Sequence, residues 1–214
     1  ADLIRSTAMS FNGHQVLAML PGWLGDALTT LHRQFGGSLY LSGGVVRDLV
    51  RGHMPADIDL TVAAGAALWA ERLVGLVGGA LVPLGRDEDA ARVVNRGVTV
   101  DFAGYREGAA TIAEDLHRRD LTINAMAIRL DPLLQEAPED LARPVDLVDP
   151  TDGLGDLRRG VIRVTSPASL IRDPLRLLRV FRFAATLGFT VDCATLTQVR
   201  QQSPLVTTVA PERL

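Results

Sequence analysis

The residues best suited to chemistry are two aspartates that open a predicted strand. Asp57 and Asp59 flank Ile58 in the sequence DIDL. Because side chains alternate between the two faces of a strand, both carboxylates are expected on one face and Ile58 in the core. Two such carboxylates stand about 6–7 Å apart along a strand and can share one or two magnesium ions. Magnesium held there would activate an attacking hydroxyl and neutralise charge on a departing pyrophosphate.

A third carboxylate is available at Asp101. In the segment 98–103, bulky apolar residues alternate with smaller or polar ones, and Asp101 faces away from the apolar side. A neighbouring strand that set Asp101 beside Asp57 and Asp59 would complete a carboxylate trio. The alternative is a polar residue on a solvated sheet face.

A phosphate-binding turn is predicted shortly before the first two aspartates. Gly43 and Gly44 connect a predicted strand to a predicted helix, so backbone N–H groups at the helix start could hold phosphate. Arg47 lies one turn into that helix, where it could reach a triphosphate. The alternatives are an ordinary Gly-Gly turn and a surface salt bridge between Arg47 and Asp48.

The elements that must position these residues follow from hydrophobic periodicity. Helices are predicted over 23–35, 45–51, 64–76 and 169–187, and strands over 38–42, 58–62, 91–95, 98–103, 125–130 and 145–148. The turn Asn95-Arg96-Gly97 pairs two of these strands. Beyond Pro150 the pattern is mostly helical. The sequence therefore predicts an α+β fold, in which a mixed sheet with helices precedes an all-helical segment that starts near residue 155.

Charge and composition restrict the class of protein. All 22 basic residues are arginine; residues 1–150 carry 13 of them against 20 acids, a net charge of −7, and the remainder carries +4. The overall net charge of −3 argues against a free-standing nucleic-acid binder, which is usually basic. No apolar stretch of about 18 residues predicts a membrane span. The single cysteine, Cys193, favours a reducing, cytoplasmic setting.

Four segments follow one another in the chain: GGVVRDLVRG followed by DID, RRDLTINA from Arg118, DPTDGLGDLRRGVIR from Asp149, and RDPLRLLRVFRF from Arg172. In this order they resemble the signatures of class II tRNA nucleotidyltransferases, the CCA-adding enzymes and bacterial poly(A) polymerases. The resemblance covers about residues 35–190.

The resemblance implies a polymerase-β-like catalytic head over residues 1–153 and a helical neck over residues 154–214. Relatives continue through body and tail domains that hold tRNA, and those domains are expected to lie outside this sequence. The last residues, Pro211 to Leu214, resemble the start of a further helix.

Roles in the head also follow from the resemblance. Asp57 and Asp59, together with Asp101, would be catalytic and hold Mg²⁺. The remaining predicted nucleotide-binding residues of this part of the chain are Gly43, Gly44, Arg47, Arg119, Asp120 and Asn124. The first three would hold the triphosphate, and the last three would shape the site around base and sugar. For Asp120 a buried ion pair with a helix cap is an equally good interpretation.

In the neck, Asp173 and Arg176 are expected on one helix at i and i+3, where they share a face. The family uses such a pair to recognise the base edge directly, since a carboxylate accepts from an amino group and a guanidinium donates to ring nitrogen and carbonyl. Arg179 and Arg182 continue the series and would contact nucleotide or phosphate. The alternative is a solvated basic face.

Two departures from the family pattern affect the expected activity. Arg172 stands where the family usually has a Glu that helps position the base-recognising pair. The loop from Glu107 to His117 is shorter than in CCA-adding relatives and resembles that of members that add only two C residues.

The sequence thus predicts a tRNA 3′-end nucleotidyltransferase, with CC addition favoured over CCA addition. It would use CTP or ATP and release pyrophosphate by a two-metal mechanism. The alternatives are a poly(A) polymerase of the same family and a non-catalytic nucleotide-binding module. No protein partner is evident.

Overall fold

The computed structural model describes residues 12–85, 89–137 and 139–209. Two compact units divide this chain: the first holds the described residues up to Ile112 together with Ala127–Val148, and the second holds Ala113–Met126 and the described residues from Asp149 onwards. Within these ranges no helix has both the length and the apolar character needed to cross a membrane.

The first unit is built on a seven-stranded mixed sheet. Its strands are β1 (Leu39–Ser42), β2 (Asp57–Val62), β3 (Ala80–Pro83), β4 (Ala90–Asn95), β5 (Val98–Gly104), β6 (Ala127–Arg129) and β7 (Leu147–Val148). Their order across the sheet is β3-β4-β5-β2-β1-β6-β7. The central pair β2–β5 is parallel, and every other neighbouring pair is antiparallel.

Helices cover one face of this sheet with the main core of the unit. They are α1 (Gly13–Leu17), α2 (Gly22–Phe35), α3 (Gly44–Val50) and α4 (Ala66–Val77). Trp69 of α4 lies between Phe35 of α2, at 5.1 Å between ring centroids, and Phe102 of β5, at 6.4 Å. Because Phe102 is fully buried, its side of β5 is the core side, and the residues before and after it point to the opposite face.

The second unit is mostly helical. Its elements are α5 (Ile112–His117, which begins at the unit boundary), a 3₁₀ turn (Thr122–Asn124), α6 (Gly153–Arg159), β8 (Val161–Ile162), α7 (Pro167–Arg172), α8 (Leu175–Leu187), β9 (Thr190–Val191), α9 (Cys193–Gln202) and a 3₁₀ segment (Ser203–Thr208). Strands β8 and β9 form a small parallel sheet, so the predicted all-helical segment contains one pair of strands.

A fully buried carboxylate ties two of the sequence motifs together in this unit. Asp156 of α6 accepts hydrogen bonds from Thr122 at 2.7 Å and from Arg159 at 2.8 Å. Arg163 pairs with the same carboxylate at 3.0 Å. Through the bond from Thr122, the motif that begins at Asp149 holds the 3₁₀ turn that carries Asn124. A buried carboxylate needs hydrogen-bonding and charged partners of this kind.

The structure confirms the α+β class and nearly all of the predicted elements, within about two residues at their ends. One helix prediction is wrong: residues 169–187 do not form a single helix. The helix α7 ends at Arg172, and Asp173 adopts extended angles (φ −141°, ψ 101°) before Pro174. A proline ring disfavours helical geometry in the residue before it, which explains the break. The helix then resumes as α8, which ends at Leu187 and is capped by Gly188 in the left-handed region.

The domain boundaries at 153 and 154 stay a prediction. In the structure, Asp149–Gly153 and the segment Ala113–Met126 belong to the mostly helical unit. The helix expected from Pro211 lies outside the described residues.

Candidate active site

Three carboxylates lie on one face of the central strand pair. In the parallel register of β2 and β5, Asp59 is opposite Asp101 and Asp57 is opposite Thr99. Their neighbours Ile58, Val100 and Phe102 are buried on the other face. Adjacent strands are about 4.8 Å apart, so the side chains of Asp59 and Asp101 are immediate neighbours. Asp57 is exposed, whereas Asp59 and Asp101 are half-buried. This is the arrangement that the sequence patterns predict for the trio.

Arg92 is a site residue that the sequence analysis missed. It lies opposite Asp101 in the antiparallel β4–β5 pair, and its Nε and Nη2 donate to the two carboxylate oxygens of Asp101 at 2.8 Å each. The hydrogen bond and the charge of Asp101 raise the pKa of Arg92, and the charges of Asp57 and Asp59 add to the effect. The signal was available, because a tight turn at Arg96-Gly97 pairs Asn95 with Val98 and so places Arg92 opposite Asp101.

The donor chemistry of the site fits a hard divalent cation. Carboxylate oxygens are the protein ligands that Mg²⁺ takes, and Asp57 and Asp59 supply them from one face. Over the residues that the structure describes, no group of three or more His, Cys, Asp or Glu side chains is arranged to hold a metal ion. Both oxygens of Asp101 accept hydrogen bonds from Arg92.

The Gly-Gly turn brings Arg47 and Asp59 to the same small space. Gly43 has φ 74° and ψ −129°, a conformation that requires glycine, and α3 begins at the next residue. A Cβ atom on Gly44 would lie 3.5 Å from Nη2 of Arg47 and 3.7 Å from Oδ2 of Asp59. The missing side chain thus leaves an approach to both groups. Arg47 also forms the predicted alternative, an ion pair with Asp48 at 2.9 Å.

The predicted residues of the RRD segment are buried in the second unit. Arg119, Asp120 and Asn124 are each less than one-tenth exposed. Arg119 pairs with the buried Asp115 at 3.2 Å. Asp120 accepts from the backbone N–H of Leu121 at 2.8 Å and from Nε of Arg179 at 2.6 Å.

The ion pair with Arg179 determines the charge state of Asp120. Burial alone would raise the pKa of Asp120, but the charges of Arg179 and Arg176 and the hydrogen bonds from Leu121 and Arg179 lower it below its usual value. Asp120 is therefore an ionised partner of Arg179. This agrees with the buried ion pair that the sequence analysis gave as the alternative interpretation of Asp120.

Asp173 and Arg176 do not share a helix face as predicted. Asp173 lies in the break after α7, whereas Arg176 lies in the first turn of α8. Nη1 of Arg176 donates to the carbonyl of Arg118 at 2.9 Å and to Oγ of Ser169 at 2.9 Å. Further along α8, the exposed Arg182 stacks on Phe183 at 4.9 Å from the ring centroid.

The predicted site residues thus form two sets, one in each unit. The first set is Gly43, Gly44, Arg47, Asp57, Asp59 and Asp101. The second set is Arg119, Asp120, Asn124, Asp173, Arg176, Arg179 and Arg182. Arg92 extends the first set and Ser169 the second.

Comparison with known proteins gives a consistent result. The family model of the poly(A) polymerase head domain matches residues 39–163, which is more than half of the chain. The chain is 36% identical to the CC-adding tRNA nucleotidyltransferase of Geobacter sulfurreducens over 203 residues, covering 94% of this chain and 44% of that protein. It is 40% identical to the A-adding tRNA nucleotidyltransferase of Deinococcus radiodurans over 161 residues, covering 75% of this chain and 33% of that protein.

A solved structure agrees with these relatives. The Thermotoga maritima CCA-adding enzyme complexed with tRNA superposes with a TM-score of 0.73 at 32% identity, covering 91% of this chain and 45% of that one. The chain therefore spans less than half the length of the relatives that it matches.

Proposed function

Because this chain belongs to the poly(A) polymerase head-domain family, we propose that the full-length protein is a tRNA 3′-end nucleotidyltransferase that adds C residues from CTP. The observation that carries the proposal is the shared face of Asp57, Asp59 and Asp101 on β2 and β5, next to the open position at Gly44. A nucleotide-binding module without catalysis has no need of three carboxylates on one face of two neighbouring strands.

In the proposed reaction, the 3′-hydroxyl of the tRNA attacks the α-phosphate of the incoming nucleotide. The new bond joins the hydroxyl oxygen to the α-phosphorus, and the bond from that phosphorus to the bridging oxygen of the β-phosphate breaks, so that pyrophosphate leaves. Asp57 and Asp59 would hold Mg²⁺, which when bound activates the hydroxyl and neutralises charge on the leaving group.

The other residues of the first unit would position the triphosphate. Gly44 leaves room beside Asp59, and Arg47 directs its guanidinium to the same space. A guanidinium is a permanent cation whose planar donors match phosphate oxygens, so Arg47 would exchange part of its pairing with Asp48 for the β- and γ-phosphates. Positioning and charge neutralisation account for most of the rate in reactions of this type.

Residues of the second unit would recognise the nucleotide. We assign base recognition to Asp173 and Arg176, and support of the nucleotide site to Arg119, Asp120 and Asn124. Arg179 would act through its ion pair with Asp120. Arg182 is the exposed arginine of the series and the one best placed to meet phosphate from solvent.

Addition of C alone is supported by the short connection after β5. Only residues 105–111 separate Gly104 at the end of β5 from Ile112 at the start of α5. The Geobacter relative, which matches nearly the whole of this chain, is named a CC-adding enzyme. We also propose a cytoplasmic location, since the single cysteine, Cys193, is free.

The test is nucleotide incorporation by the full-length protein onto tRNA that ends before CCA, with CTP and ATP supplied separately and together. We expect CTP alone to give two additions, and ATP to add nothing further. A terminal A after the two C residues would make the protein a CCA-adding enzyme. Long products from ATP alone would identify a poly(A) polymerase, and nucleotide binding without incorporation would contradict the enzymatic proposal.

A further inference from the structure

We propose that Ser169 is a positioning residue that fixes the guanidinium of Arg176 for recognition of the nucleotide base. The inference rests on the proposed function and adds to it a residue that determines specificity without touching the substrate. It arises from a fully buried serine that lies on α7 and accepts a hydrogen bond from Arg176.

The hydroxyl of Ser169 has both of its hydrogen-bonding roles filled. Its Oγ accepts from Nη1 of Arg176 at 2.9 Å and donates to the backbone carbonyl of Arg119 at 3.0 Å. Nη1 also donates to the carbonyl of Arg118 at 2.9 Å. One terminal nitrogen of Arg176 is thereby held between α7 and the RRD segment. Since the guanidinium is planar and rigid, fixing one nitrogen fixes the plane of the whole group.

This anchor explains how the chain can tolerate Arg172. Arg172 stands at the position of the family glutamate expected to help orient the base-recognising pair. A guanidinium carries only donors, so Arg172 cannot accept a hydrogen bond from Arg176. Its side chain is exposed at the end of α7. The acceptors of Arg176 include the carbonyl of Arg118 and the hydroxyl of Ser169, and of these two the hydroxyl is the one that a substitution can remove.

Removal of the hydroxyl affects Arg176 more than the backbone around it. The carbonyl of Arg119 also accepts from the hydroxyl of Thr165, so it keeps a partner when Ser169 becomes alanine. Without the Oγ acceptor, Nη1 of Arg176 loses one of its two 2.9 Å hydrogen bonds and keeps the other, to the carbonyl of Arg118, together with a longer contact of 3.3 Å to the carbonyl of Ser169. The substitution Ser169→Ala therefore loosens the guanidinium of Arg176 while the backbone acceptors around it stay in place.

The orientation of Arg176 matters for the choice between pyrimidines. Cytosine presents acceptors at N3 and O2 to a guanidinium, whereas uracil presents an N3–H donor. A fixed donor group favours cytosine, because against uracil the N–H that meets N3 of cytosine faces another donor, and a group that rotates discriminates less. Ser169 should therefore influence the CTP-to-UTP preference and have little effect on the chemical step.

The experiment measures kcat and KM for CTP and UTP with the full-length protein on tRNA ending before CCA, for wild type, Ser169→Ala, Arg176→Gln and the double variant. Ser166→Ala is the matched control, because Ser166 precedes the same helix and its side chain makes no capping hydrogen bond. We expect Ser169→Ala to lower the CTP/UTP ratio of kcat/KM by about tenfold through a higher KM for CTP, as for the loss of one hydrogen bond to a charged group.

The double variant tests the route of the effect. If Ser169 acts through Arg176, Ser169→Ala should change nothing further in the Arg176→Gln background. The inference would be overturned if the CTP/UTP ratio of kcat/KM in Ser169→Ala stayed within twofold of wild type, or if kcat/KM fell equally for both nucleotides. It would also be overturned if Ser169→Ala lowered the ratio just as much in the Arg176→Gln background. A wild-type protein without preference for CTP would overturn the proposed function as well, whereas a preference that is undiminished in Ser169→Ala would overturn only the inference.

Discussion

At the scale of single residues, the charges around the candidate site are balanced by arginine. Asp57, Asp59 and Asp101 share a sheet face, where like charges repel one another. Arg92 lies in the same cross-strand row and occupies both oxygens of Asp101. A divalent cation bound at the proposed site would therefore compete with Arg92 for Asp101, and this competition can be measured.

We predict that Arg92→Met lowers the Mg²⁺ concentration needed for half-maximal thermal stabilisation by about three- to tenfold, because it removes a cation that competes for Asp101. The measurement is the melting temperature of the full-length protein across a Mg²⁺ titration. Arg129→Met is the matched control, since Arg129 forms a similar pair with Asp131 at 3.0 Å on β6. If Arg92→Met lowered the half-maximal Mg²⁺ concentration equally in an Asp101→Asn background, competition for Asp101 could not be the cause.

Asp120 gives a prediction about pH. Arg179 holds the pKa of Asp120 in the folded protein below its ordinary value of 3.8. The ionised carboxylate therefore stabilises the folded state fully at pH values above the pKa of the unfolded chain. This stabilisation is lost as the pH falls through the lowered pKa of the folded state. Asp120→Asn should lower the free energy of unfolding by about 1–3 kcal/mol at pH 7, a range reduced because Arg179 is 41% exposed.

The difference between wild type and Asp120→Asn should shrink below about pH 4, as followed by urea denaturation at several pH values. The exposed pair Asp140–Arg143 provides the control, and Asp140→Asn should cost less than about 0.5 kcal/mol. A cost for Asp120→Asn that stays constant from pH 7 to pH 3 would contradict the role of the ion pair.

At the scale of elements, hydrophobic periodicity predicted α2, α3 and α4 and six of the seven strands of the main sheet, and the alternation in 98–103 predicted the face of Asp101. Three features escaped it for physical reasons. Strand β3 is exposed along its whole length, so it has no alternation to detect. The break at Asp173 depends on Pro174, whose local effect outweighs the helical period on either side. The pairing of Arg92 with Asp101 depends on cross-strand register, which periodicity within one strand does not specify.

The close packing of α6 on the 3₁₀ turn gives a prediction at this scale. A Cβ atom on Gly153 would collide with the backbone carbonyl of Thr122, which cannot rotate away as a side chain could. Gly153→Ala should therefore destabilise the protein by about 1–3 kcal/mol, measured by chemical denaturation.

Gly75→Ala is the control for that substitution. Gly75 lies within α4, and an added Cβ would meet nothing within 4 Å. Alanine there should be neutral or stabilising by about 0.5–1 kcal/mol, since it is the better helix former. Equal effects of the two substitutions would show that the contact between α6 and the 3₁₀ turn contributes little.

At the scale of the whole chain, the two units divide the proposed work. The first carries the carboxylates and the glycine turn, and the second carries ion pairs of arginine with buried aspartates and the arginine that we assign to base recognition. Net charge follows a similar division, with −7 over residues 1–150 and +4 over the remainder. An acidic portion suits cation binding, and a basic portion suits contact with nucleotide and phosphate.

The central claim is that Asp57 and Asp59 on β2 carry out nucleotide addition to tRNA. The most direct test compares wild type, Asp59→Asn and Asp26→Asn in CTP incorporation by the full-length protein onto tRNA ending before CCA; Asp26 is an exposed aspartate on α2. We predict two additions by wild type and by Asp26→Asn, and a loss of about 10²- to 10³-fold or more in Asp59→Asn. Incorporation by Asp59→Asn within tenfold of wild type would contradict the account.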